Sequence, residues 1–152
     1  MSNALKPVSI VVPVYNEKLA IKKSISAVCE ILDKLPDGSE AIFVNDGSTD
    51  GSAKKLTSLI DSQSNPGINL IHHAHNRGYG ASLKSGIKSA RNGLIAITDA
   101  DGTYPIQKLP EMLEKLKDAR MIVGARPIHQ QPLRRRPAKV FLNQFASYLS
   151  GT

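Results

Sequence analysis

Short β-branched runs that alternate with longer segments of helical period constrain this chain more than any other feature. The runs are Val8 to Val12, Ala41 to Asn45, Ile68 to His72, Leu94 to Thr98 and Met121 to Gly124. After the first, Ile21, Ile25, Val28, Leu32 and Leu35 recur at three- and four-residue steps and so share one helical stripe, which Pro36-Asp37-Gly38 closes. Asp50 or Thr49 can cap a second helix that buries Leu56, Leu59 and Ile60. A third helix is expected from about Tyr79 to Arg91 and a fourth from Leu109 to Leu116. Strand and helix in alternation predict an α/β domain with a mainly parallel sheet. The 152 residues, 41% hydrophobic and 22% charged, suit one globular domain with a sizeable core.

A polar cluster follows each strand: Pro13 to Glu17, Asp46 to Gly51, Asn76 to Gly80, Asp99 to Tyr104, and Arg126. In an open parallel sheet these C-terminal ends share one rim, and ligands bind in the crevice there. Asp99-Ala100-Asp101 is the sharpest of the five. Two carboxylates held together at the end of an apolar strand suit Mg²⁺ or Mn²⁺, which typically takes one or two carboxylates plus substrate phosphates. The plainer alternative is a capping Asp and a turn Asp before Gly102. Tyr15 can pack on a nucleobase, and Glu17 or Asp46 can accept base N–H or ribose hydroxyl bonds, although Asn16 and Glu17 would equally start a helix. Arg77 with Gly78 and Gly80 offers either a tight turn or a cationic entry for phosphate at a helix N-terminus. His72, His73 and His75 invite a metal, but strand alternation separates neighbours across the sheet, so a satisfied strand-end role is expected.

Several other chemistries fit the sequence less well. The strand before Asp99-Ala100-Asp101-Gly102-Thr103 resembles the phosphoaspartate motif of haloacid-dehalogenase-type phosphatases, yet that chemistry needs a later acidic pair and no Asp or Glu follows Asp118. An EF-hand count from Asp99 puts Pro110 where the bidentate Glu belongs. Leu83 occupies the third glycine position of a dinucleotide fingerprint, and no Gly-Lys-Ser/Thr is present. One cysteine, Cys29, leaves no internal disulfide or multi-thiolate zinc site and fits a reducing cytoplasm. No apolar run approaches the ~20 residues of a membrane span, and Ser2-Asn3-Ala4, within a tail of residues 1–7, resembles a cloning scar.

Taken in order, Val11-Val12-Pro13-Val14-Tyr15-Asn16-Glu17, Val44-Asn45-Asp46-Gly47-Ser48-Thr49-Asp50-Gly51, Asn76-Arg77-Gly78-Tyr79-Gly80 and Asp99-Ala100-Asp101-Gly102 resemble glycosyltransferase family 2, closest to its polyprenyl-phosphate (dolichyl-phosphate) mannosyl- and glucosyltransferase branch. The resemblance implies a GT-A fold, a Rossmann-like three-layer sandwich. It also implies a nucleotide-diphosphate sugar donor of the UDP-glucose or GDP-mannose type, Mg²⁺ or Mn²⁺, and inversion at the anomeric carbon. By that likeness Pro13, Val14, Tyr15, Asn16, Glu17, Asp46, Gly47, Ser48, Arg77, Gly78, Gly80, Lys84, Asp99 and Ala100 would hold the donor. Asp99 and Asp101 would hold the metal, and Arg126 would meet the donor diphosphate or the acceptor. Asp99, Asp101 and Arg126 are the catalytic candidates. Thr103 stands where relatives often carry Gln. The chain also stops about where this branch continues into its acceptor-site segment, so it reads as the donor half of a longer domain, with residues 8–126 as the core.

Charge is unevenly placed. Residues 1–118 carry 14 bases and 13 acids, whereas residues 119–152 carry six bases and no acid, so six of the seven excess positive charges lie in the last 34 residues. Within 127–152, Arg134-Arg135-Arg136-Pro137 leads a stretch in which Phe141, Phe145 and Leu149 recur every four residues, an amphipathic helix. It would dock at an anionic membrane surface on the cytoplasmic face, or pack on the domain or on a second subunit in a homo-oligomer. With 5% aromatics and no Trp, nucleic acid is not an expected partner. A polyprenyl phosphate or another glycan acceptor is expected. Lipid phosphate, with a second pKa of ~6, attacks without a dedicated base, and no late carboxylate is present to serve as one.

Overall fold

Residues 8–14 and 40–45 are buried along almost their whole length, which a sheet permits only when both of its faces are covered. The computed structural model describes residues 5–63, 65–116 and 119–124. Two units are distinguished, residues 1–118 and 119–152. The first contains strands β1 (Val8–Val14), β2 (Glu40–Asn45), β3 (Ile68–His72) and β4 (Leu94–Ile97). Its helices are α1 (Ile21–Leu32), α2 (Ser52–Gln63), α3 (Tyr79–Ser89) and α4 (Leu109–Lys115), and a 3₁₀ turn at Ile106–Lys108 precedes the last. The sheet order is β3-β2-β1-β4, and every pairing is parallel.

Strand alternation divides the core. Ile10, Val12, Val14, Ala41 and Phe43 pack with Ile21, Ile25, Val28 and Ile31 of α1, Leu56 of α2, and Leu109 and Leu113 of α4. Val11 and Val44 point to the other face, against α3. Gly86 makes that approach possible: a Cβ there would collide with Val11 Cγ1 and stand 3.3 Å from Val44 Cγ2. Ser82 and Gly86, four residues apart and both buried, are the small residues that let α3 lie close on the sheet.

At the N-terminal ends of the strands a buried carboxylate ties the elements together. Glu40, fully buried, accepts from Ser9 Oγ at 2.7 Å, Asn69 Nδ2 at 2.9 Å, Arg91 N at 2.7 Å and Arg91 Nε at 3.0 Å. Burial alone would raise its carboxyl, but the Arg91 and Ser9 donors and the Arg91 charge hold it below the ordinary value.

Two local features depart from expectation. Strand β1 runs on through Pro13, whose Cα partner is Val44. Parity explains how a central strand tolerates it. Val14 and Val12 turn their backbone groups toward β2, as the Asp46 N to Val14 O bond shows, so Pro13 turns its nitrogen toward β4. The β1–β4 pairing ends at Val11↔Ile97, and the missing N–H therefore breaks no rung. Met121 to Gly124, expected as a fifth strand, has no regular structure, and Met121 and Val123 are 78% and 74% exposed. So short an apolar run becomes a strand only where a ladder partner takes its backbone groups, and the described ladders join β1 to β4 alone.

Candidate functional site

The last rungs of the ladders bring the strand ends to one rim. Asp46 N donates to Val14 O at 2.8 Å, His73 N to Asn45 O at 2.9 Å and Thr98 N to Val11 O at 3.1 Å. Beyond these bonds the chain leaves the sheet, and the departing segments border a cavity of about 300 Å³. Pro13 and Val14 line it from β1, Tyr15 and Glu17 from the loop after it, Asp46 from just beyond β2, Asn76 and Gly78 from the β3–α3 loop, Tyr79 and Ser82 from α3, and Asp99, Ala100 and Asp101 from beyond β4. A larger hollow of about 730 Å³ runs along Lys54, Thr57, Ser58, Asp61 and Ser62, all on α2, and no strand-end group reaches it.

Asp46 is buried at the floor. Its Oδ1 lies 2.7 Å from His73 Nδ1 and accepts the Arg77 backbone N–H at 3.0 Å, while Oδ2 accepts Gly78 N at 2.8 Å. Burial pushes this carboxyl up, and the His73 bond and the two amides outweigh it and leave it below the ordinary range. Asp46 therefore fastens β2 to the β3–α3 loop, and Gly78, with φ at 88°, turns that loop into α3. His72 goes the other way, with Nδ1 3.2 Å from Asn45 Nδ2 and Nε2 3.2 Å from Thr57 Oγ1. His72 and His73 thus have the strand-end partners expected of them, and His75 is exposed.

The mouth is acidic. Burial, then the charges of Asp101, Asp50 and Asp99, push the Glu17 carboxyl above its ordinary value. Asp101 Oδ1 is engaged by its own turn, accepting from Thr103 N at 2.8 Å and Thr103 Oγ1 at 2.6 Å, with Gly102 at φ 70° completing it. Tyr79 Oη donates to Asp99 Oδ1 at 3.3 Å. Burial, Asp99's charge and that bond push the phenol up, so it stays a proton donor. Among the described residues no three His, Cys, Asp or Glu side chains form a cage for a metal. A divalent cation at Asp99 and Asp101 would complete its shell with ligand and water oxygens, the arrangement Mg²⁺ ordinarily adopts. The concentration of negative charge beside Glu17 fits such a cation.

The remaining described candidates do not line the cavity. Asn16, at φ 57°, accepts Thr49 N on Oδ1 at 2.8 Å, and its own N–H donates to Ser48 Oγ at 3.0 Å. The pair locks the β1–α1 loop to the β2–α2 loop. Gly47, at φ 66°, stands against the next loop: a Cβ there would collide with the His75 carbonyl carbon and come within 2.5 Å of Asn76 N. Arg77 contributes its backbone N–H to Asp46. Gly80 has open space where a Cβ would be, and Lys84 is exposed on α3. Asp50 caps α2 through Ser52 N at 2.9 Å, as expected. Arg126 and the basic stretch with its apolar stripe lie outside the described residues.

Tyr79, Asn76 and Ser82 were not singled out as site residues from the sequence. The spacing of Ser82 and Gly86 is the available signal that α3 approaches the sheet closely enough to present its first turn.

Comparison with known proteins agrees with this geometry. The chain is 38% identical over 119 residues to the Bacillus subtilis glycosyltransferase YkcC, covering 77% of this chain and 36% of that protein. It is 31% identical over 150 residues to the undecaprenyl-phosphate 4-deoxy-4-formamido-L-arabinose transferase of Aeromonas hydrophila, covering 97% of this chain and 45% of that one. It thus spans less than half the length of these curated relatives. A mannosyltransferase from Pyrobaculum calidifontis, solved with GDP-Man and Mn²⁺, superposes with a TM-score of 0.71 at 24% identity over 81% of this chain and 36% of the other. Glucosyl-3-phosphoglycerate synthase from Mycobacterium tuberculosis, solved with Mn²⁺, UDP and phosphoglyceric acid, gives 0.57 at 21% identity over 73% of this chain and 39% of the other. These likenesses bear out the GT-A fold. The glycosyl transferase family 2 model matches residues 9–148, and the chain belongs to that family.

Proposed function

We propose that this chain supplies the donor-binding half of an inverting glycosyltransferase that moves a sugar from a nucleotide-diphosphate sugar to a polyprenyl phosphate. The observation that carries this reading is the convergence of Tyr15, Glu17, Asp99 and Asp101 on one cavity, where the aspartates' charges help push the Glu17 carboxyl up. Tyr15, about half exposed at the wall, offers a ring face to a nucleobase. Asp46 Oδ2 keeps one acceptor position beyond its bond to Gly78, suited to a single base or ribose donor. Asp99 and Asp101 would hold Mg²⁺ or Mn²⁺, which when bound neutralises charge on the departing nucleoside diphosphate. Tyr79 keeps its proton and orients Asp99. Arg126 is the proposed contact to the donor diphosphate or the acceptor.

The acceptor assignment is supported by the relatives named as undecaprenyl-phosphate transferases. A phosphate acceptor is largely dianionic at neutral pH and attacks without a general base. No described helix is long and apolar enough to cross a membrane. Peripheral attachment on the cytoplasmic face through Arg134, Arg135 and Arg136 would then bring the site to its lipid. Calorimetry with UDP, GDP and their sugars, with and without Mn²⁺, tests the reading. Metal-dependent binding of one nucleotide is expected, and a folded chain that binds neither overturns it. Vesicle binding lost on triple Ala substitution of the arginines, with nucleotide binding intact, is the result expected for the membrane contact.

A further inference from the structure

Behind Asp46 lies a buried chain of polar groups that the donor-binding reading does not use. His73, 8% exposed, places Nδ1 2.7 Å from Asp46 Oδ1 and Nε2 2.9 Å from Ser85 Oγ on α3. Its own backbone N–H is fixed to Asn45 O at the last rung of the β2–β3 ladder. Asp46 is held below the ordinary carboxyl range and is therefore ionised, so it can only accept. The hydrogen-bond network then assigns a proton to Nδ1, and Nε2 bonds to the Ser85 hydroxyl, which can donate or accept. With His73 and Arg77 N both on Oδ1, that oxygen has no acceptor position left, and the residual one is on Oδ2. Ser85 is only partly buried and does not line the cavity, so the carboxylate–imidazole–hydroxyl line does not present a nucleophile to it.

We infer that His73 is a positioning residue for nucleoside recognition. It locks the rotation of Asp46 so that Oδ2 faces the ligand, and Ser85 on α3 locks the imidazole in turn. This inference rests on the donor-binding reading and adds a residue to it. The physical argument is preorganisation: a carboxylate held by three donors meets an incoming N–H or O–H without reorganising, whereas one released from its imidazole keeps only the two loop amides and is held less firmly.

The test separates the nucleoside from the diphosphate. Calorimetry in Mn²⁺ compares UDP and GDP with inorganic pyrophosphate for wild type, His73→Ala, His73→Asn and Ser85→Ala. His73→Ala should weaken the nucleotide about ten-fold and leave pyrophosphate unchanged, because a charge-assisted bond carries roughly that much. His73→Asn, whose amide N–H takes the place of Nδ1–H, should restore most of the loss, and Ser85→Ala should cost about two- to three-fold. Equal weakening of nucleotide and pyrophosphate, or no weakening of either in a folded variant, overturns the inference. If wild type binds no nucleotide, the functional reading fails instead. The His73–Asp46 bond is checked separately: nitrogen NMR should show a slowly exchanging Nδ1–H, and an imidazole protonated on Nε2 alone overturns the inference.

Discussion

Tyr79, the first residue of α3, donates its hydroxyl to Asp99 Oδ1 across 3.3 Å and so joins the third strand's loop to the fourth strand's acidic turn. Asp99's negative charge is part of what raises the phenol's ionisation. A divalent cation on Asp99 should therefore lower the Tyr79 titration midpoint, measured by ultraviolet difference absorbance with Tyr79→Phe as the blank. Tyr79→Phe should also weaken Mn²⁺-dependent nucleotide binding about three- to ten-fold while costing under about 1 kcal/mol of stability, since the bond is exposed.

Asp101→Ala removes the carboxylate that weighs most among the neighbouring charges on Glu17. Metal-dependent nucleotide binding should be lost, and the Glu17 carboxyl should titrate at lower pH. Chemical denaturation should change little, because Asp101 is exposed and its bonds lie within its own turn. An NMR titration of Glu17 that does not move would contradict the proximity of these groups.

Gly47→Ala should destabilise the fold by about 2 kcal/mol or more. The left-handed conformation costs a side chain about 1–2 kcal/mol, and the new Cβ would strike the His75–Asn76 backbone, which cannot swing aside as a side chain could. Urea denaturation of wild type and variant measures this. Gly80→Ala, where a Cβ meets open space, is the control and should be neutral or slightly stabilising.

Glu40 and Asp46 both have folded-state ionisations below their ordinary values of 4.5 and 3.8. For groups depressed on folding, the stabilisation is fully present above the unfolded value and is lost as pH falls through the folded one. Stability should therefore decline as the solution is acidified below about pH 4.5. Glu40→Gln should flatten that slope and cost about 3 kcal/mol at neutral pH, because one carbonyl oxygen cannot accept from Ser9, Asn69 and Arg91 together. Denaturant midpoints across the acidic range measure both.

Much of this architecture is legible in the sequence. The stripe Ile21, Ile25 and Val28 packs where its period places it, Asp50 caps α2, and the polar groups after four strands meet at one rim. These are local signals, set by side-chain period and turn chemistry. What was not legible depends on neighbours distant in sequence. The roles of Glu40 and Gly86 follow only once α3 and its following turn lie on the sheet. Asn16 and Ser48 have the residue types of a ligand site, yet they bond across two loops because those loops run side by side. Tyr79 is anonymous until the turn after β4 comes within reach of it. Met121 to Gly124 has the composition of a strand, but composition does not supply a ladder partner.

The proline in β1 has a further effect. In a parallel pair each hydrogen bond positions the next, and two strands stay zipped for as long as donors and acceptors alternate. After Thr98 N bonds Val11 O, the following link would run from the nitrogen of residue 13 to the carbonyl of Thr98. Pro13 has no hydrogen to give. The seam between β1 and β4 is thereby unpicked one residue before Asp99, and the crevice that holds the two aspartates is kept open by covalent structure instead of by any side-chain contact that could relax.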